Sequence, residues 1–183
     1  MATLKQIHSG LVLVADRDGL IGEGDALITG QPGIAVSVRT ADCYPILLVD
    51  SRRRAVAAVH AGWRGTAARI VSETIAEMRV RFETDPADIY AAIGPGIGGC
   101  CYEVGPDVAR QFDQSAGHLD LADANRRQLI DSGVDISHVD MFGMCTFCDA
   151  ARFHSYRRDK EQAGRMVSFI RVACRKADST ASR

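Results

Sequence analysis

The chain has 183 residues, 46% hydrophobic and 25% charged, with 22 Lys+Arg against 23 Asp+Glu for a formal net charge of −1. A chain of this length buries about two thirds of its unfolded surface, so it needs no disulfides to fold, and its composition excludes a fibrous or disordered protein. The balanced charge argues against nucleic-acid binding and still allows local arginine clusters to hold an anionic small molecule.

The N-terminus, through His8, has no long apolar core and does not read as a secretory signal. No stretch approaches the roughly 18–20 apolar residues that span a bilayer, so no membrane partner is expected. A cytoplasmic location follows as the expectation. There the six cysteines (Cys43, Cys100, Cys101, Cys145, Cys148 and Cys174) read as thiols or metal ligands rather than disulfides.

Short runs rich in Val, Ile and Leu over residues 11–15, 26–29, 34–38, 46–49 and 55–59 predict strands. Their near-continuous apolarity points to burial on both faces. Residues 50–54 read as a hairpin turn with solvated arginines. From Thr66 to Phe82 the apolar positions Ala67, Val71, Ile75, Met78 and Phe82 mark one face of a helix, ended by Asp85-Pro86. A strand at 89–93 follows, then shorter helices at 106–112 and 121–132, the second stopped by Gly133, and closing strands at 139–144 and 166–172. The tail from residue 175 is polar and expected to fray. Strands in a block with helices inserted later give an α+β class, and no linker divides the chain, so 1–183 reads as a single domain.

Three segments place reactive side chains at the ends of predicted buried strands: Lys5-Gln6-Ile7-His8-Ser9-Gly10, Thr40-Ala41-Asp42-Cys43-Tyr44-Pro45 and Ala58-Val59-His60-Ala61-Gly62-Trp63-Arg64-Gly65. Two imidazoles and a thiolate (His8, Cys43, His60) suit Zn²⁺ and leave its fourth position for water or substrate. The wide spacing is not a compact metal signature, and each residue also reads as structural. The runner-up, which residue identity alone does not separate from the metal site, is a nucleophilic Cys43 with His60 or His8 as base and Asp42 orienting a histidine or lying behind the metal ligands.

Gly94-Pro95-Gly96-Ile97-Gly98-Gly99 fits G-x-G-x-x-G after a strand, yet Cys100-Cys101-Tyr102-Glu103-Val104-Gly105-Pro106 does not open a helix on it. A tight loop lining a pocket is the better reading than dinucleotide binding. Cys145-Thr146-Phe147-Cys148 is a lone C-x-x-C. A structural zinc there needs a second pair, and Cys100-Cys101 lacks the usual knuckle spacing; a redox dithiol is the other reading. Arg157 and Arg158 sit beside aromatic residues, as a solvated pair or an anion grip.

Together with Tyr102-Glu103-Val104-Gly105, Ser155-Tyr156-Arg157-Arg158-Asp159, Gly164-Arg165-Met166 and Ser168-Phe169-Ile170, these segments resemble the YfiH-like, laccase-domain family from His8 to Ile170. Its members are described as multi-activity purine nucleoside phosphorylases and formerly as polyphenol oxidases. The resemblance implies a sandwich of mixed β-sheets flanked by helices, in α/β/β/α layers. It implies a zinc site on His8, Cys43 and His60. The implied activity is phosphorolysis of adenosine, inosine and methylthioadenosine, with adenosine deamination. Arg64 is then the leading candidate to hold phosphate, supported by Arg157 and Arg158, with Asp42 as orienter or proton carrier. Copper oxidation fits less well, because a multicopper centre needs many more histidines than the five present. The fold is shared with a cysteine-dependent toxin deamidase, which keeps the metal-free Cys–His hydrolase open. Family members carry a longer segment before the first histidine, with an Arg-x-Gly-Gly stretch at the substrate. Its lack here implies an incomplete pocket wall, a weakly active binding module as a further alternative, and an exposed first-strand edge favouring a homo-oligomer.

Overall fold

In the computed structural model, which describes residues 1–52 and 55–173, the strands are β1 (Ala2–Lys5), β2 (Val12–Val14), β3 (Gly19–Glu23), β4 (Ala26–Thr29), β5 (Ala35–Thr40), β6 (Tyr44–Asp50), β7 (Ala55–Ala61), β8 (Ile89–Ile93), β9 (Glu103–Val104), β10 (Gly117–His118), β11 (Val139–Met141) and β12 (Met166–Arg171). The helices are α1 (Trp63–Ala67), α2 (Ile70–Phe82), α3 (Pro106–Ala109), α4 (Leu121–Asp131) and α5 (Tyr156–Asp159). A six-stranded sheet runs β11-β8-β6-β7-β4-β2, a four-stranded sheet β12-β5-β1-β3, and β9 and β10 form a small ribbon. Both large sheets mix parallel and antiparallel pairs, as the α+β expectation of mixed sheets with helices requires.

The unbroken apolar runs are explained by the middle layer. Every residue of β7 is buried. Ala55, Ala57, Val59 and Ala61 face α2 through Ile70, Val71, Ile75 and Met78, while Val56 and Ala58 face the four-stranded sheet through Val36 and Val38. A strand with apolar partners on both sides cannot alternate. Each fully buried aliphatic side chain of α2 contributes roughly 1.5–3 kcal/mol, and its solvent face carries Glu73, Glu77 and Arg81. The outer face of the four-stranded sheet carries Leu20, Val167 and Phe169, which are 62%, 50% and 59% exposed.

The helix expected at 66–82 is broken in two. The Thr66 carbonyl accepts from the Arg69 N–H at 3.0 Å and from Gln128 Nε2 at 2.7 Å, so it is not free to bond Ile70 in a continuous α-helix. Arg69 turns left-handed at φ 57° before α2 starts. The 106–112 helix is one α-turn followed by a 3-10 turn through Phe112, and α4 is capped by the Asp120 carboxylate on the Asp123 N–H and ended at Gly133, φ +98°. β11 stops at Met141, short of the expected 144, and β12 ends at Arg171. β6 and β7 pair antiparallel with Asp50 opposite Ala55, as the expected hairpin requires. Arg53, Arg54, Cys174 and the 175–183 tail lie outside the described residues.

Two strands of the four-stranded sheet, β1 and β3, had no clear signature. β1 is not an edge: it lies between β5 and β3, so the edge expected at the first strand falls instead on β3. Among the described residues, no helix is long and apolar enough to cross a membrane.

Candidate functional site

His8 follows β1, Cys43 sits in the turn between β5 and β6, and His60 is the penultimate residue of β7. These strand ends meet at one end of the sandwich. The ligand atoms of the three side chains lie within 4.8 Å of one another, and the two imidazoles meet edge to face with centroids 4.8 Å apart. Close approach depends on Gly62, where a Cβ would fall 2.8 Å from Cys43 Sγ and 3.4 Å from His8 Cδ2. His8 and Asp42 both adopt positive φ, 59° and 83°, conformations that cost energy and persist only where the surroundings enforce them.

The enforcing residue is Asp25, which the sequence reading missed. It is fully buried. Its Oδ1 accepts from the His8 N–H at 3.0 Å and lies 2.8 Å from His60 Nδ1; its Oδ2 accepts from the Ser9 hydroxyl at 2.7 Å and from the Ile7 and Ser9 N–H groups. One carboxylate thus sets the left-handed turn at His8 and the orientation of His60. With Nδ1 engaged, His60 presents Nε2 to the centre. Burial pushes the Asp25 carboxyl up, but the bonds from His60 and Ser9 outweigh it and hold it at about 2. Burial lowers His60, and its bonds to Asp25 and Cys43 bring it up to about 9. Burial raises the Cys43 thiol, and the two imidazoles bring it down to about 7. The donor set of two ring nitrogens and a readily ionised thiol fits a borderline-soft divalent cation such as zinc.

This centre opens into a cleft of about 990 Å³. Arg39, Arg157, Lys160 and Arg165 line it against two carboxylates, Asp42 and Glu161, and Tyr102 and Tyr156 supply aromatic walls. Both oxygens of Asp42 are occupied: Thr146 Oγ1 donates to Oδ1 at 2.7 Å and the Arg157 N–H to Oδ2 at 2.6 Å. The Arg157 guanidinium lies 5.2 Å from the Tyr102 ring centre and donates to the Glu103 carbonyl. Arg64 and Arg158 do not line the cleft. Arg64 is exposed and stacks on Trp63 at 4.4 Å. Arg158 spends its donors on Asp159 and on the carbonyls of Thr146, Phe147 and Phe153, locking the loop beneath the cleft. Lys160 and Arg165 are further cleft cations; Lys160 lies in no motif, and Arg165 falls in the Gly164-Arg165-Met166 stretch but is not among the expected site residues.

The glycine loop behaves as a pocket wall. No helix follows it; Ile97 lines the cleft, and a Cβ on Gly96 would strike the Tyr44 ring at 2.6 Å. His138 stacks on Tyr90 at 4.0 Å, and the His154 ring packs against Gly164. Among the described residues the histidines therefore do not assemble into a multicopper set.

Residues 1–173 match the family model described as multi-copper polyphenol oxidoreductase laccase. The chain belongs to that family, in agreement with the resemblance its motifs carry. It is 43% identical to a purine nucleoside phosphorylase of Deinococcus radiodurans, over all of this chain and 74% of that protein. It is 36% identical to adenosine deaminase RL5 of an unknown prokaryotic organism, over 91% of this chain and 72% of the relative. Among solved structures, YlmD of Geobacillus stearothermophilus superposes with a TM-score of 0.87 at 35% identity, over 92% of this chain and 72% of its own. A YfiH protein of Bacillus licheniformis gives 0.88 at 31%, covering 93% and 73%.

Proposed function

We propose that the chain is a zinc-dependent purine nucleoside phosphorylase, acting on adenosine, inosine and methylthioadenosine, with adenosine deaminase activity in the same cleft. The observation that carries this reading is the convergence of His8, Cys43 and His60 within 4.8 Å at a cleft lined by four cations; relatives named for both activities support it. His8, Cys43 and His60 hold the metal, and Asp25 fixes the His60 tautomer. Zinc, when bound, supplies a Lewis acid with one open position.

In phosphorolysis a phosphate oxygen bonds to ribose C1′ as the bond from C1′ to the purine nitrogen breaks, and the purine leaves with that electron pair and takes a proton. The phosphate charge must be held through this exchange. Arg157 is placed for it, its backbone fixed by Asp42 and its guanidinium braced by Tyr102, with Lys160 and Arg165 on the same wall. Tyr102 and Tyr156 offer faces for a purine ring. Asp42 acts as a positioning residue for Arg157, and Arg158 anchors the loop; Arg64, stacked on Trp63, stands outside the cleft lining. The free thiols of Cys43, Cys100, Cys101, Cys145 and Cys148 suit a reducing, cytoplasmic setting.

The test is zinc-loaded protein with inosine, adenosine and methylthioadenosine, with and without phosphate. Phosphate-dependent release of free base with ribose 1-phosphate (or its methylthio analogue) is expected. Absence of phosphate-dependent release from all three refutes the phosphorylase. The Cys43–His60–Asp25 chain, with the imidazole 2.8 Å from the carboxylate and the thiol at about 7, favours a second reading, a metal-independent Cys–His hydrolase or deamidase. Activity that survives complete metal removal and is lost on alkylation of Cys43 would select it.

A further inference from the structure

Four cysteines outside the His8–Cys43–His60 centre converge at the far end of the glycine loop. Cys100 and Cys101 occupy the turn after Gly98, closed by Cys101 N–H to Gly98 carbonyl at 2.9 Å. Cys145 and Cys148 bracket the turn after β11. The four sulfurs lie within 4.8 Å of one another, with Cys100–Cys148 at 3.8 Å and Cys101–Cys148 at 3.3 Å. A tetrahedral zinc with Zn–S bonds of about 2.3 Å separates its sulfurs by about 3.8 Å, so this spacing needs little adjustment. The Gly98 N–H donates to Cys145 Sγ at 3.2 Å. Such N–H donors stabilise a thiolate that ligates a metal.

We infer that Cys100, Cys101, Cys145 and Cys148 form a second, closed metal site, a tetrathiolate for zinc that clamps two loops together. The adjacent pair does not match a knuckle spacing in sequence, yet the Gly98 turn brings both of its sulfurs to the Cys145–Cys148 pair. All four ligands come from protein, leaving no open position, so the site is structural. Binding displaces thiol protons and therefore strengthens as pH rises. The clamped loops are those that build the cleft: Cys145 bridges Gly96, the Thr146 N–H donates to the Gly96 carbonyl at 2.9 Å, and Thr146 Oγ1 holds Asp42. A metal here fixes the wall beside Cys43 without touching a substrate, and the inference does not rest on the purine reading.

The test is metal stoichiometry and cobalt spectroscopy on the full chain, kept reduced and oxygen-free. The chain is expected to bind two equivalents of zinc, one per site. Cobalt added to metal-free wild-type protein should give the intense ligand-field and sulfur-to-metal bands of a tetrahedral tetrathiolate beside those of a mixed N/S site. Cys43→Ser should lose one equivalent and keep the tetrathiolate bands; Cys148→Ser should lose those bands and keep the mixed-site spectrum. The wild-type titration stands even if a variant fails to fold. Binding of a single equivalent abolished by Cys43→Ser overturns the inference, as does ready reaction of all four thiols with a thiol reagent in zinc-loaded protein. A mass lower by two hydrogens, with a disulfide mapped to Cys101 and Cys148 in protein purified under reducing conditions, also overturns it.

Discussion

Asp25→Asn is the perturbation that separates the frame of the site from its chemistry. The carboxylate accepts from three backbone N–H groups, one hydroxyl and His60. The amide replaces one accepting oxygen with a donor, so at least one buried N–H faces another donor. Hydrogen bonds to a charged group are worth about 1.5–3 kcal/mol each, and removing one partner of a buried ion pair costs about 3–5 kcal/mol. A loss of about 4 kcal/mol is therefore expected, a fall of roughly 8–16 °C in Tm for a chain of this size. Zinc affinity should fall about 10–100-fold, because His60 loses the acceptor that fixes its tautomer. Chemical denaturation and zinc competition measure the two effects separately. The pH profile supplies a check of sign. A carboxyl at about 2 in the folded protein, against 3.8 ordinarily, contributes about 2 kcal/mol that is present above the ordinary value and lost as pH falls through about 2. Asp25→Asn should flatten that acid limb. A variant as stable as wild type with unchanged zinc affinity would refute the hub; a loss of stability alone would leave Asp25 structural and remove it from the centre.

Gly62→Ala should weaken zinc binding at least tenfold, since its Cβ would lie 2.8 Å from Cys43 Sγ, and should cost about 1–3 kcal/mol in overpacking; zinc competition and melting report both. Arg157→Ala should raise the KM for phosphate and spare deamination and zinc content, whereas Arg64→Ala should change phosphate KM little; equal losses in both activities for Arg157→Ala would mark it as part of a common purine pocket. Zinc binding at the His8–Cys43–His60 centre must expel the Cys43 and His60 protons, held at about 7 and about 9. Affinity should therefore fall as pH falls through these values, because each proton still bound must be released on metal binding. Calorimetry of a Cys148→Ser variant in buffers of different ionisation enthalpy counts these protons at this centre alone.

The strands of the six-stranded sheet were readable because double-sided burial forces unbroken apolar runs, as in β4, β6 and β7. β1 and β3 escaped because Ala2-Thr3-Leu4-Lys5 and Gly19-Leu20-Ile21-Gly22-Glu23 form a sheet with one face left outward, where Leu20 stays exposed. The break at Arg69 was hidden for another reason. It is imposed by Gln128 taking the Thr66 carbonyl from sixty-two residues away, and no local periodicity records a distant competitor. At the site, His8, Cys43 and His60 stood out because imidazole and thiol announce their chemistry. Asp25 did not, since an acid between glycine and a strand reads as a solvated boundary until five donors are seen to surround it. Motif alone does not record where each guanidinium goes. Arg158 spends it on its own loop, and Arg157 keeps its guanidinium on the cleft wall.

The motif around Cys43 and the motif around Cys145 are two halves of one construction. Asp42 precedes Cys43, and Thr146 follows Cys145; a single 2.7 Å hydrogen bond joins these neighbours. Cys43 is held by a residue at φ 83° that cannot relax while Thr146 and the Arg157 N–H grip both of its oxygens. The position of Thr146 is in turn set by Cys145, through the bridge to Gly96 and the Gly98 N–H on its sulfur. The four-cysteine cluster is therefore one hydrogen bond and two peptide units from Cys43. The closed metal site inferred on these four cysteines would anchor the far side of the strained turn before Cys43, because a closed site has no exchange position through which solvent or substrate can loosen it.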